Sequence, residues 1–330
     1  MRVSNWRRLG SLLAGVVALS GCMINPPLEL AQIVKGEPGL TLDAVPFYPQ
    51  TQYQCGPAAL AGVLGAAGVD TSPEQLSAQV YLPARQGSLQ LELLAATRRA
   101  GRIPYLLDTT ADALVEELEH GRPVLVLQNL GTPHFPRWHY AVLVGLDAAT
   151  NRVYLNSGRQ PSLAMAAPEF MRSWDWAGRW ALVALRAGEI PGSANATRYL
   201  DALLAFESVA GVEAALPAWS AAHQRWPVQG LPYLALGNRA HAAGEPSAAV
   251  SWYYQGLLHN PGNVALANNL ASVLGQLGCP RLAQAQLAPV LATEPSDSSW
   301  QPALATTLGE LAAHTSADPQ SCYDLMTIAP

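Results

Sequence analysis

Cys55 is followed by Gly56 and Pro57 and by the small residues Ala58, Ala59 and Ala61. A cysteine at a helix start faces unpaired backbone N–H groups and the positive end of the helix dipole. Both favour thiolate over thiol and predict a lowered pKa. Gly56 leaves room for a substrate backbone beside the sulfur, and Pro57 is tolerated in a first turn whose N–H groups lack intrahelical partners. A thiol nucleophile also needs a base, and the base needs an acceptor to orient it. Of the seven histidines, His139 opens the apolar run Tyr140-Ala141-Val142-Leu143-Val144, and a second run, Arg152 to Ser157, follows a turn at 147–151. Antiparallel pairing of the two predicts Asn156 beside the start of the His139 strand, where its side-chain oxygen would accept the imidazole N–H. Asp147 is a rival acceptor placed in the turn. His134 lies in a proline-rich loop and is read as a substrate-loop residue. Trp138, Trp174, Trp176 and Trp180 are read as core or cleft wall.

The elements that must position these groups are helices first and strands afterwards. Helices are expected from Cys55 to the Gly65–Gly68 region, from Leu89 to Ala100 with Gly101 ending it, and from Ala111 to Glu119 before Gly121. Strands are expected at 102–107, 123–127, 140–144, 153–155 and 180–185. That order fits an α+β layout. Alanine at 58, 59 and 61 lets the first helix lie close on a sheet.

A glutamine a few residues before Cys-Gly, then His-Tyr-x-Val-x-x-Gly, then Asn after the next strand resembles papain-like cysteine peptidases. More narrowly, it is similar to the bacteriocin-processing peptidases that cut double-glycine leaders. The resemblance covers about 41–187, and 87–101 and 170–185 fit that family's helix and closing strand. It implies Cys55 as nucleophile, His139 as base, Asn156 as orienting residue and Gln50 as oxyanion helper, with Gln52 and Gln54 as alternatives to Gln50. The implied reaction is peptide-bond hydrolysis on a peptide or protein substrate. Two other readings keep the same fold: an acyl transferase resolving the thioester with an amine, and a non-catalytic scaffold. No metal or organic cofactor is implied, and no paired His/Cys spacing suggests zinc.

The chain has 330 residues, half of them hydrophobic and 13% charged, with net charge −5 and only 19 Lys+Arg. Such a composition builds folded cores and argues against nucleic acid as a partner. Arg2, Arg7 and Arg8 precede a short apolar run, Leu9 to Leu19, that ends in Leu19-Ser20-Gly21-Cys22. This resembles a bacterial lipoprotein signal over 1–21, with Cys22 as the lipidated residue and 22–40 as tether. The implied location is the cell envelope, periplasm-facing, and by sorting rules the outer membrane. Of the other cysteines, Cys279 and Cys322 share the C-terminal half and form the natural disulfide pair, leaving Cys55 as the lone thiol.

After a linker at 188–196 the sequence is rich in Ala and Leu and poor in strands. Pro227, Pro261 and Pro295 recur every 34 residues. Gly244 and Gly278 share that interval, as do Ala215, Ala249 and Ala283 and the bulky set Trp219, Tyr253 and Leu287. The period resembles tetratricopeptide repeats over 197–330, with Leu236-Gly237 matching a first-helix signature. The fold class expected is therefore an α+β papain-like peptidase domain followed by an all-α tetratricopeptide-repeat domain whose groove binds a protein partner.

Overall fold

A computed structural model of the chain describes residues 29–50, 54–313 and 319–326. The signal-like segment, Cys22 and Gln52 lie outside the described residues. From its start the described chain runs β1 (Gly39–Thr41), α1 (Cys55–Ala66), α2 (Pro73–Val80), β2 (Tyr81–Leu82), β3 (Gly87–Ser88) and α3 (Gln90–Arg99). It continues through β4 (Ile103–Leu106), α4 (Ala111–Glu119), β5 (Val124–Asn129), β6 (Trp138–Asp147), β7 (Arg152–Ser157), β8 (Gln160–Ala166), α5 (Ala167–Asp175) and β9 (Ala181–Leu185). It ends with α6 (Ala196–Ala210), α7 (Val212–Arg225), α8 (Gly230–Ala242), α9 (Pro246–His259), α10 (Val264–Gln276), α11 (Pro280–Thr293), α12 (Gln301–Ala312) and α13 (Ser321–Asp324).

Seven strands form one antiparallel sheet in the order β4-β9-β5-β6-β7-β8, with β1 pairing the far half of β6. Alternation along the strands gives the sheet two apolar faces. Leu125, Leu127, Tyr140, Val142, Val144 and Leu182 meet α1, α2 and α3 through Leu60, Leu64, Leu76 and Leu93. Val124, Val126, Ala141, Leu143, Leu155 and Val183 meet the other layer through Leu114, Leu118, Phe170 and Trp174.

α1 packs closely through its small residues: a Cβ at Gly62 would come within 3.1 Å of the Pro46 carbonyl and 3.5 Å of Val142 Cγ2 on β6. α2 starts with a capping box, in which Ser72 Oγ accepts the Gln75 N–H and Gln75 Oε1 accepts the Ser72 N–H.

The segment expected as a tether is partly built into this domain. Leu30 is buried in the core and its N–H donates to Asn151 Oδ1 at 3.0 Å, while Gly39–Thr41 pairs with β6. An apolar side chain within reach of a sheet face is drawn in by burial, so the domain includes Leu30, about ten residues before the expected boundary at 41.

The C-terminal region is all helical, in successive antiparallel hairpins. α6, α8 and α10 start at Ala196, Gly230 and Val264, and α7, α9 and α11 at Val212, Pro246 and Pro280, so both series repeat every 34 residues. Cys279 and Cys322 are joined by a disulfide with Cα atoms 5.8 Å apart, which ties α11 to α13 across 43 residues. Closing a loop of that length stabilises by roughly 4 kcal/mol on the chain-entropy model.

The first hairpin is not separate from the sheet. Tyr199, Leu203 and Phe206 of α6 and Trp219 of α7 belong to the same core as Tyr105 and Val183. The connecting segment is pinned as well. Asn195 N–H donates to Tyr105 Oη at 3.0 Å, and Gly192 N–H donates to Glu117 Oε1 at 3.0 Å. Glu117 is fully buried and its other oxygen accepts from Arg122 at 2.5 Å, so the carboxylate leaves water only with both oxygens engaged.

Candidate active site

Cys55 is the first residue of α1 and the only free cysteine among the described residues. Its sulfur lies at the backbone N–H of Tyr140, the residue after His139. Gly56 is needed at the next position: a Cβ there would sit 2.5 Å from Ser88 Oγ and 3.7 Å from the Tyr140 ring. Tyr140 Oη in turn donates to the Ser88 carbonyl at 3.3 Å. The β2–β3 hairpin is thereby wedged against the start of α1. The Ser88 hydroxyl is buried there and has no hydrogen-bond partner among the described residues.

Gln50 reaches the same place from the segment before α1. Its N–H donates to the Gly158 carbonyl at 2.8 Å, and its Nε2 donates to the Tyr140 carbonyl at 3.4 Å. Gln54 caps α1 without a side-chain hydrogen bond to the helix.

The electrostatics differ from the expectation for a helix-start cysteine. Burial raises the Cys55 thiol above its ordinary value, and the N–H groups of Tyr140, Gly56 and Cys55 itself, which pull the other way, do not cancel it. The expected lowering fails because burial disfavours the charged thiolate more than the N–H groups favour it. His139 is pushed down to about 4, chiefly by burial and secondarily by the positive charge of Arg137. Near neutral pH the site therefore holds a neutral thiol and a neutral imidazole.

The acceptor beside His139 is also not the expected one. His139 Nε2 is 2.8 Å from Ser157 Oγ. Asn156 pairs across the strands with Val142, three residues further along β6, and its Oδ1 accepts the Ser162 N–H at 3.0 Å. The β6–β7 register shifts between Leu143 and Gly145, and the β7–β8 register shifts between Leu155 and Ser157. Asn156 thus holds the start of β8, where Ser162 has a positive φ of 47°. Asp147, the rival, caps its own turn by accepting from Ala149 N–H, Thr150 N–H and Thr150 Oγ.

By alternation His139 falls on the face of Ala141 and Leu143, opposite to Tyr140, and among the described residues no hydrogen bond joins it to Cys55. The structure thus brings together Cys55, Gln50, Ser88 and the Tyr140 backbone, and separately His139 and Ser157. Ser157 and Ser88 escaped the sequence reading. Ser157 was legible only as the neighbour of Asn156, and Ser88 only as the polar residue after Gly87.

Trp174 is fully buried, while Trp138 is exposed at the start of β6 and His134 is exposed in the loop before it. Among the described residues no cluster of three His, Cys, Asp or Glu side chains could hold a metal ion.

Residues 42–179 match the model of the Peptidase_C39 like family. The α+β part of the chain is therefore similar to C39-like peptidases, which supports a cysteine peptidase, and the helical region lies beyond the match. A search of curated proteins finds no match. Among solved structures, a provisionally assigned C39-like peptidase from Bacillus anthracis aligns with 17% identity and a TM-score of 0.37, over 45% of this chain and 98% of that one.

Proposed function

We propose that the chain is a cysteine peptidase with Cys55 as nucleophile and His139 as base. The observation that carries this reading is the position of Cys55. It is a free thiol at a helix start, against the backbone N–H that follows His139, within the residues that match the C39-like family model. In this reading the peptide carbonyl lies over Sγ. The thiol proton passes to the His139 imidazole as the C–S bond forms, and the imidazolium returns it to the leaving amine. Water deprotonated by His139 then cleaves the thioester and releases the acid.

The oxyanion is met by the Cys55 N–H and by the Gln50 amide, which has a second hydrogen beyond the one donated to Tyr140. Because both partners are neutral at rest, proton transfer accompanies attack instead of preceding it. The imidazole must come within about 3 Å of Sγ, so in this reading the ring turns from the Ala141 face of β6 toward Cys55. Ser157 Oγ, 2.8 Å from His139 Nε2, is the side chain that holds the ring at rest.

The finer assignments belong to the same proposal. Cys22 carries a lipid that anchors the chain in the bacterial envelope. The 34-residue helical hairpins are tetratricopeptide-like and present a protein-binding groove.

The test is turnover of a peptide library by the full-length chain, followed by mass spectrometry, with Cys55→Ala and His139→Ala beside the native protein. Cleavage by the native chain and loss of at least a hundredfold in both variants is expected. Cleavage that persists in Cys55→Ala would sink the mechanism.

A further inference from the structure

The chain is acidic overall, with net charge −5, yet the segments that meet at Cys55 are not. Four of them converge there: 45–50 with 54–60, which carry Gln50 and Cys55; 82–91, whose Ser88 abuts Gly56; 130–142, which carries His139 and Tyr140; and 154–163, whose Gly158 carbonyl accepts the Gln50 N–H. These segments contain Arg85, Arg137 and Arg159 and no Asp, Glu or Lys. The nearest acid along them is Glu92, in the first turn of α3.

Each arginine belongs to a different wall. Arg85 lies in the turn between β2 and β3, Arg137 two residues before His139, and Arg159 beside Gly158 in the β7–β8 turn. All three are exposed, and among the described residues no ion pair engages any of them. Other arginines of this domain are spent on structure: Arg122 on Glu117, Arg179 on Asp175, Arg186 on Glu189 and on the end of α1.

Three guanidinium groups without ion pairs, carried on the segments that adjoin one small site, attract anions. Guanidinium pairs with carboxylates through two parallel hydrogen bonds, a geometry lysine lacks. We infer that the substrate is an acidic peptide, with carboxylate side chains on both sides of the scissile bond that pair with Arg85, Arg137 and Arg159. This rests on the peptidase reading above and names its substrate class. The arginines bind and orient the peptide, and Cys55 does the chemistry.

The test does not need turnover. The full-length chain is alkylated with iodoacetamide, and modification of Cys55 is followed by mass spectrometry. Three competitors are compared: a Glu-rich peptide, the same peptide with every Glu replaced by Gln, and glycerol phosphate as a soluble lipid headgroup.

The Glu-rich peptide is expected to slow alkylation at least fivefold at 50 mM salt and to lose the effect at 500 mM, where charges are screened beyond a few Å. The Gln-rich peptide should not protect. A chain carrying Arg85→Ser, Arg137→Ser and Arg159→Ser should lose protection by the Glu-rich peptide, and these exposed positions carry no core packing. Equal protection by both peptides, protection unchanged in the triple variant, or protection by glycerol phosphate alone would overturn the inference. A chain that is protected by the acidic peptide but cleaves nothing would fail the peptidase reading and leave the binding result standing.

Discussion

At the residue scale the site turns on which neighbour holds His139. Ser157 Oγ touches the imidazole, and Asn156 Oδ1 satisfies a backbone N–H of β8. Ser157→Ala should therefore lower kcat about tenfold with little change in KM or stability. Asn156→Ala should leave the Ser162 N–H unmatched and cost about 1–3 kcal/mol of stability, which thermal melts and kinetics on the pair would separate. A larger kcat loss in Asn156→Ala would return the orienting role to that residue.

The same histidine makes stability depend on pH. Its folded pKa, about 4, lies below the ordinary 6.5, so between those values the unfolded chain binds the proton more readily than the folded one. Stability is then full above about pH 6.5 and is lost as pH falls toward 4, by at most about 3 kcal/mol. Denaturant melts between pH 4 and 7 should show this slope in the native chain and a shallower one in His139→Gln.

At the scale of elements, small residues decide how closely the helices approach. In the α8–α9 hairpin a Cβ at Gly237 would lie 2.3 Å from the Tyr253 ring. Tyr253 is buried, and its hydroxyl donates to Asn238 Oδ1 at 2.8 Å. The ring cannot move aside without breaking that bond, so Gly237→Ala should cost about 1–3 kcal/mol through overpacking and lower the melting temperature by several degrees. An unchanged melt would mean that the hairpin tolerates a wider spacing. The Leu236-Gly237 pair therefore marks a contact, with the glycine making room for the tyrosine of the following helix.

At the scale of the molecule the sheet and the first helical hairpin share one core. Tyr199 is fully buried, its ring centroid lies 6.3 Å from that of Tyr105, and its hydroxyl donates to the Glu189 carbonyl at 2.9 Å. Tyr199→Ala should cost about 3–5 kcal/mol, as for other large aromatic truncations. It should also speed amide exchange in β4 and β9 together with α6. Faster exchange confined to α6 and α7 would show that the peptidase-like part stands without its helical neighbour.

The local elements were legible where apolar spacing and punctuation agree. The helix at Cys55, those at 90–99 and 111–119, the strands that include 140–144 and 181–185, and the 34-residue period all follow from such signals. Other elements carried weak or different signals. α2 is announced by its Ser72–Gln75 cap and not by an apolar stripe, and β8, at the sheet edge, is largely exposed and lacks a buried pattern. The pairing of Cys279 with Cys322 was readable because the lone thiol at Cys55 stood in another context.

Tertiary structure alone decided the rest. Strand pairing, invisible in the residue pattern, set Ser157 and not Asn156 against His139. Burial in the folded chain reversed the expected shift at Cys55. Three arginines separated by 74 residues of an acidic chain came onto segments that adjoin one cysteine, because charge patterning along a sequence does not say which loops will meet.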